Sequence, residues 1–452
     1  MRKQILCLFG LACLACIVVL PSAAEVKPNI VLIVADDLGY GDLGCYGNKR
    51  IKTPNIDRLA AAGLRFTDFH SSGPMCSATR AGMLTGRYQQ RFGAHFDGAL
   101  SGVASVPGEG LPLAAVTIAE VLKKQGYATG IFGKWHLGYA PPLTPVNQGF
   151  DEFRGLVSGD GDHHTRFDRA GKADWWRNDT LEPEEGYDAN LLTRYSVDFI
   201  ERHRNEPFFL YVPHLAIHFP WQGPEDPPHR KEGIDYAQDK WGVIPDHDNV
   251  LPHVGAMLDA MDQSVGAIAA ALKQHGLEGN TLVIFTSDNG GYLQYDNVFH
   301  NISSNGPLRG QKGDLFEGGH RVPFIASWPG KIRAGETGEV GHSTDLFPTF
   351  AALAGISLEG LEFDGVDLSS LLFDGVDLPE RMLFWRKADL GAVRSGSWKL
   401  DITSEGAQLF DLDKDVGESR DLASQLPEQV KVLRSAWDAW EAEVTRSAAA
   451  FK

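Results

Sequence analysis

The chain has 452 residues, 43% hydrophobic and 22% charged, with 50 Gly and 24 Pro; these ordinary globular proportions exclude collagen, coiled coil and wholesale disorder. Its 42 basic and 59 acidic residues leave a net charge of −17, which repels nucleic acid and anionic membrane and excludes polyanion binding by bulk electrostatics. Function must therefore come from local sites, where a cationic pocket can still take an anion.

Residues 1–24 read as a signal peptide. Met1-Arg2-Lys3 is a basic start, residues 5–20 are an apolar run, and Pro21-Ser22-Ala23-Ala24 gives a small-residue cleavage pattern before Glu25. The run is shorter than the roughly 20 residues that span a bilayer as a helix. Neither Cys13 nor Cys16 has a leucine three residues before it, which argues against a lipid anchor. The expected destination is the periplasm, the cell exterior or a lysosome-like compartment. Cys45 and Cys76 remain after cleavage, too few for a disulfide framework. Either they pair or one has a chemical task.

The mature chain opens with an unbroken apolar run over residues 29–35, ending in Asp36-Asp37. Such a run predicts a strand buried on both faces. Similar runs fall at 207–212 and 281–286, the latter ending in Ser287-Asp288-Asn289, and a weaker one at 127–132. Between them lie helical patterns at 55–62, 116–124 and 191–204. The clearest carries Val254, Met257, Met261, Val265, Ile268 and Leu272 on one face. This alternation predicts an α/β fold: a large, mainly parallel sheet with helices on both faces. Ligands in such sheets sit beyond the C-terminal strand ends, where both acidic pairs fall.

Residues 151–186 and 220–249 are rich in Gly, Pro and charge and read as long loops over that edge. Asp160, Asp162, His163, His164, Trp175, Trp176 and Trp221 are their candidates for substrate contact. From residue 361 the texture changes to short runs at 381–385, 392–401 and 408–412, followed by an amphipathic pattern over 428–444. These predict a smaller antiparallel sheet with a terminal helix. The expected division is a large domain over 25–360 and a small C-terminal domain over 361–452.

Asp36, Asp37, Asp288 and Asn289 are hard oxygen donors ending two buried strands, suited to Ca²⁺ or Mg²⁺. Taken singly, each pair is equally a turn or helix cap. Cys76 falls at a predicted helix start with Arg80 one turn on, either as a low-pKa thiolate or as a buried structural thiol. Lys134 and His136 alternate along an extended segment and so share a face. His218 follows the strand at 207–212, and Lys312 lies in a glycine-flanked turn.

Cys76-x-Ala78-x-Arg80 resembles the signature of the sulfatase family, in which a dedicated enzyme oxidises the cysteine to Cα-formylglycine. Gly133-Lys134-Trp135-His136 resembles the second signature. Thr53-Pro54-Asn55-Ile56-Asp57, Ser287-Asp288-Asn289-Gly290-Gly291 and Glu317-Gly318-Gly319-His320-Arg321-Val322-Pro323 are similar too. The likeness runs in order from about residue 27 to Asp415. It implies an alkaline-phosphatase-like fold with the large domain catalytic, and Ca²⁺ held by Asp36, Asp37, Asp288 and Asn289 and touching the residue at Cys76. It also implies a hydrated aldehyde at position 76 that attacks sulfur, with His136 taking a proton as sulfate is expelled. Arg80 and Lys134 are implied to hold the hydrate, and Lys312 and His218 to bind sulfate and assist the leaving group. The substrate implied is a sulfated carbohydrate, and the maturation partner a formylglycine-generating enzyme. The alternatives are a phosphonate or phosphodiester hydrolase, or a glycan-binding protein with unmodified Cys76.

Overall fold

Strand β1 (Asn29–Ala35) sends alternate side chains into two different cores, as its unbroken apolarity requires. This is seen in a computed structural model, which describes residues 27–101 and 108–451; the expected signal peptide lies outside the described residues. The other strands of the large sheet are β2 (Leu64–Phe66), β3 (Ala128–Lys134), β4 (Glu152–Leu156), β5 (Trp176–Arg177) and β6 (Thr180–Leu181). They continue with β7 (Phe208–Pro213), β8 (Thr281–Ser287), β9 (Phe324–Ser327) and β10 (Gly335–Thr337). The order is β10-β2-β9-β8-β1-β7-β3-β4-β5-β6. The five from β8 to β4 are mutually parallel, while β9 and β5 join them antiparallel.

Helices cover both faces. On one, Ile30, Leu32 and Val34 share a core with α2 (Cys76–Thr85), α3 (Ile118–Lys124) and α6 (Leu346–Leu353) through Leu84, Leu122 and Phe350. On the other, Val31 and Ile33 meet α1 (Pro54–Ala61), α4 (Asp188–Arg202) and α5 (Leu251–Gln274) through Ile56, Phe199 and Met261. The predicted α5 stripe, from Val254 to Leu272, is buried throughout.

Four consecutive antiparallel strands form the small sheet: β11 (Met382–Lys387), β12 (Leu390–Ser395), β13 (Trp398–Thr403) and β14 (Gly406–Asp411). The apolar run at 392–401 is thus two strands, because Gly396 at φ 57° turns the chain into a hairpin. Helix α7 (Pro427–Ala448) lays Leu433 on Val393, Leu400 and Leu409. A buried ionic network fastens this sheet to the large one. Arg394 clamps both oxygens of Asp68 at 2.7 Å, and Lys399 bridges Glu418 at 2.7 Å and Glu317 at 3.2 Å. Residues 151–186 differ from the expected loop in giving β4 to the parallel sheet. Only part of that segment crosses the sheet's edge.

Candidate active site

Because Ala35 pairs with Ser287 in register, the β1 and β8 ends release Asp36-Asp37 and Asp288-Asn289 side by side. The backbone N–H of Asp37 donates to Asp288 Oδ1 at 3.2 Å, and Asn289 Nδ2 donates to Asp37 Oδ1 at 2.9 Å. Asp36 Oδ1, Asp37 Oδ2 and Asn289 Oδ1 are buried without a hydrogen-bond partner among the described residues. Buried oxygens left so cost about 1–3 kcal/mol each, and a hard cation would satisfy all three. The Asp36, Cys76 and Asp288 ligand atoms lie within 4.8 Å of one another, as do those of Asp36, Asp37 and His218. The donor set therefore fits a divalent metal. Gly290 is required here, since a side chain would overlap the Gly318 carbonyl.

Cys76 is the first residue of α2, and Arg80 is fully buried one turn on. Arg80 Nε and Nη2 donate to Asp288 Oδ2 at 3.0 and 2.8 Å, and Nη1 donates to the Lys134 carbonyl at 2.7 Å. Lys134 ends β3, and its Nζ donates to Asp36 Oδ2 at 2.5 Å. His136 lies beyond the strand with φ 55°, so it reaches the site by a left-handed turn and not by the expected alternation with Lys134. Asp37 shares that conformation at φ 63°. Each costs of order 1–3 kcal/mol, strain that gathers at functional sites.

The histidine tautomers follow from their partners. His136 Nε2 faces the Leu100 carbonyl at 3.2 Å, so it carries the proton. Nδ1 is then the acceptor, 3.3 Å from Cys76 Sγ. Burial, with the charges of Lys134 and Arg80, holds His136 well below the usual imidazole range, so it is a neutral base. His218 donates from Nδ1 to the Phe219 carbonyl at 2.7 Å and turns Nε2 toward Asp37 Oδ2 at 3.7 Å. Burial first, then Lys312 and Lys134, keep it neutral too. Lys312 forms an ion pair with Asp37 and lies over the Tyr292 ring at 5.3 Å. Burial opposes its charge, but Asp37 outweighs burial and holds it well above the usual ammonium range.

Three carboxylates (Asp36, Asp37, Asp288) thus balance three cations (Arg80, Lys134, Lys312). Burial pushes Asp36 well up despite Lys134, whereas Arg80, Lys134 and Lys312 outweigh burial and hold Asp288 down. A divalent ion would displace the Asp36 proton and leave the centre positive, a local anion trap in a chain of charge −17. Every residue expected at the site converges there.

The loop residues expected to meet substrate behave differently. Asp160, Asp162, His163, Trp175 and Trp221 are buried and hold the loops together. Asp160 pairs with Arg169 and Arg230, Asp162 caps backbone N–H groups, and His163 pairs with Asp188 at 2.7 Å. Trp176 lies in β5, between β4 and the edge strand β6, and His164 packs on Tyr187 with ring centroids 5.2 Å apart. Cys45 and Cys76 form no disulfide with each other. A second group, His70, Glu317 and His320, also brings ligand atoms together, but the Lys399 ammonium stands 3.2 Å from Glu317 and 3.3 Å from His320. The cation's place there is taken by Lys399. The Leu100 carbonyl, Arg169 and Tyr292 were not singled out from sequence, since nothing local marks them.

The sequence profile of the family named Sulfatase matches residues 28–356. The chain belongs to the sulfatase family. It is 37% identical to human (Homo sapiens) arylsulfatase A, over 90% of this chain and 86% of that one. It is 36% identical to the N-acetylgalactosamine-6-sulfatase of Rattus norvegicus, over 84% and 72%. Among solved structures, Ps i-CgsB superposes with a TM-score of 0.79 at 32% identity, covering 92% of each chain, and is also known in complex with k-i-k-neocarrahexaose. This sulfatase is accordingly an enzyme of sulfate-ester hydrolysis, built on a large, mostly parallel sheet with a small antiparallel sheet and terminal helix. Among the described residues no helix is long and apolar enough to cross a membrane.

Proposed function

We propose that this sulfatase removes sulfate from a sulfated carbohydrate, using Cys76 converted to Cα-formylglycine and Ca²⁺ held by Asp36, Asp37, Asp288 and Asn289. The observation that carries the reading is a set of three buried oxygens without a hydrogen-bond partner among the described residues, close to a cysteine whose Sγ lies 3.3 Å from His136 Nδ1. Sugar as the substrate class is supported by the neocarrahexaose bound to Ps i-CgsB and by the N-acetylgalactosamine-6-sulfatase relative.

A divalent ion held by Asp36, Asp37, Asp288 and Asn289 would supply positive charge to an anionic substrate at this site. The hydrated aldehyde would supply one hydroxyl as the nucleophile for sulfur, displacing the alcohol, and a second whose deprotonation would re-form the aldehyde and break the C–O bond to sulfate. His136 Nδ1 is placed to take the proton from that side chain, because its other nitrogen is committed to Leu100. Arg80 holds Asp288 ionised and Lys134 stands on Asp36, so the field is preset and little reorganisation accompanies the reaction. Lys312 is charged; it orients a sulfate oxygen and carries the proton that can be returned to the leaving oxygen, which the unprotonated His218 Nε2 flanks. Maturation needs a formylglycine-generating enzyme, and residues 1–24 direct export.

A panel of sulfate, phosphate and phosphonate esters tests the reaction class. Sulfate esters should give the highest kcat/KM; a preference for phosphonates or phosphodiesters would replace the reading with that of a sister hydrolase. Cys76→Ala should abolish hydrolysis with the melting temperature retained. Glycan binding without turnover in the mature wild type would instead mean a non-catalytic binding protein.

A further inference from the structure

Beside the sulfate-binding groups stands a wall of aromatic rings carrying two cations. The Phe219 ring centroid lies 4.2 Å from the His218 imidazole. Arg169 Cζ lies 5.3 Å and Lys240 Nζ 5.5 Å from the centre of the same Phe219 ring. Lys240 Nζ is also 4.5 Å from the Trp241 ring and 5.0 Å from that of Tyr295. Tyr295 meets Tyr292 edge-on at 4.8 Å, and Lys312 lies over Tyr292. The wall therefore runs unbroken from His218 to Lys312. Trp241, Tyr292 and Tyr295 are half-buried, while Leu293 and Val298 beside them are exposed.

Neither cation has a carboxylate to itself among the described residues. Buried Asp160 receives Arg169 Nε on both oxygens at 2.9 Å and Arg230 Nη2 at 2.9 Å, two guanidinium groups on one carboxylate. Only Nε of Arg169 is engaged; its terminal nitrogens have no protein acceptor among the described residues, and its side chain is 26% exposed. Lys240 rests on three rings, which stabilise an ammonium without a counter-ion. Among the described residues it has no carboxylate in ion-pair reach. A guanidinium fixed at one nitrogen presents the rest of its fork ready for a carboxylate or sulfate.

We propose that Arg169 and Lys240 bind a second anionic group, a carboxylate or another sulfate, on the sulfated sugar or its neighbour, while Trp241 and Tyr295 take the sugar face. The enzyme then selects polyanionic glycans over singly sulfated ones. This rests on the sulfated-carbohydrate reading and narrows it. Losing one charge-assisted contact corresponds to roughly ten- to hundredfold in kcat/KM.

The test compares mature wild type, Arg169→Ala, Arg169→Lys and Lys240→Met on two matched pairs. These are N-acetylgalactosamine 6-sulfate against its 4,6-disulfate, and κ- against ι-neocarra-oligosaccharides. Wild type should favour the more anionic member in at least one pair. Arg169→Ala and Lys240→Met should each cut that preference about tenfold or more, Arg169→Lys less. Because Asp160 keeps Arg230 in every variant, melting temperatures should stay close to wild type. Release from both members at a ratio that no variant changes overturns the second-anion site alone. Release from none of the four sugars, with an aryl sulfate still cleaved, overturns the carbohydrate reading and this inference with it.

Discussion

Replacing Asn289 by alanine separates the cation site from the fold around it. Asn289 Nδ2 donates to Asp37 Oδ1 and to the Gly290 carbonyl, both at 2.9 Å, while its Oδ1 is buried and partnerless. Losing the bond to the carboxylate costs about 1.5–3 kcal/mol and the neutral one about 0.5–1.5. Deleting the orphaned oxygen returns about 1–3 kcal/mol, so the metal-free variant falls between a gain of about 1 and a loss of about 3.5 kcal/mol. With metal present the balance changes. Residues that merely support a ligand already lower affinity 10–100-fold when removed, so a ligand itself removes at least roughly 1.4–2.7 kcal/mol of binding. That deficit appears as a smaller stabilisation by the ion. The assay is thermal unfolding of wild type and Asn289→Ala, each in chelator and across a calcium series, with magnesium in parallel. Calcium should raise the wild-type melting temperature and half-saturate at least tenfold higher in the variant. The same calcium response in both proteins, or none in wild type, would refute the site.

Two further outcomes follow from the same geometry. His136→Gln can still donate to Leu100 but carries no base toward position 76. It should lower kcat by about 10²–10⁴ with the melting temperature kept; a kcat near wild type would remove His136 as the base. Asp401 in the network between the sheets is pushed up to about 7 by burial, against Lys399 at 3.8 Å, and neither of its oxygens has a hydrogen-bond partner among the described residues. Its folded-state pKa exceeds the roughly 3.9 of the unfolded chain, so the native state binds the extra proton. Its stabilising contribution is complete below about pH 4 and declines as pH rises toward 7. Asp401→Asn should therefore gain melting temperature relative to wild type from pH 4 to 7 and level off above. A constant or shrinking difference would contradict the assignment.

What the sequence revealed followed from how each signal is encoded. Residues 30–35 had to be a doubly buried strand because no polar side chain interrupts them, and both acidic pairs lie at strand ends because the apolar runs stop there. Residues 152–156 were hidden within a loop reading because Glu152, Arg154 and Gly155 break the apolar run that marks a buried parallel strand. Gly396 split a continuous run because one left-handed residue suffices for a hairpin. Trp175 and Trp221 suggested exposed sugar contacts, yet large amphipathic rings fill loops as readily as they line them. The convergence of Cys76, Lys134, His136, His218 and Lys312 was legible mainly through the resemblance. Residue spacing alone cannot bring together groups tens to hundreds of positions apart. Arg169 and Lys240 carried no such signal, because their meaning depends on which carboxylates and rings surround them.

The most direct measurement is peptide mass spectrometry across residues 70–90, on protein made with its own maturation machinery, beside sulfate release by the same sample. An aldehyde in place of the Cys76 thiol should be present, and its fraction should scale with turnover across preparations. Full turnover from protein that keeps its sulfur at position 76 would contradict the account.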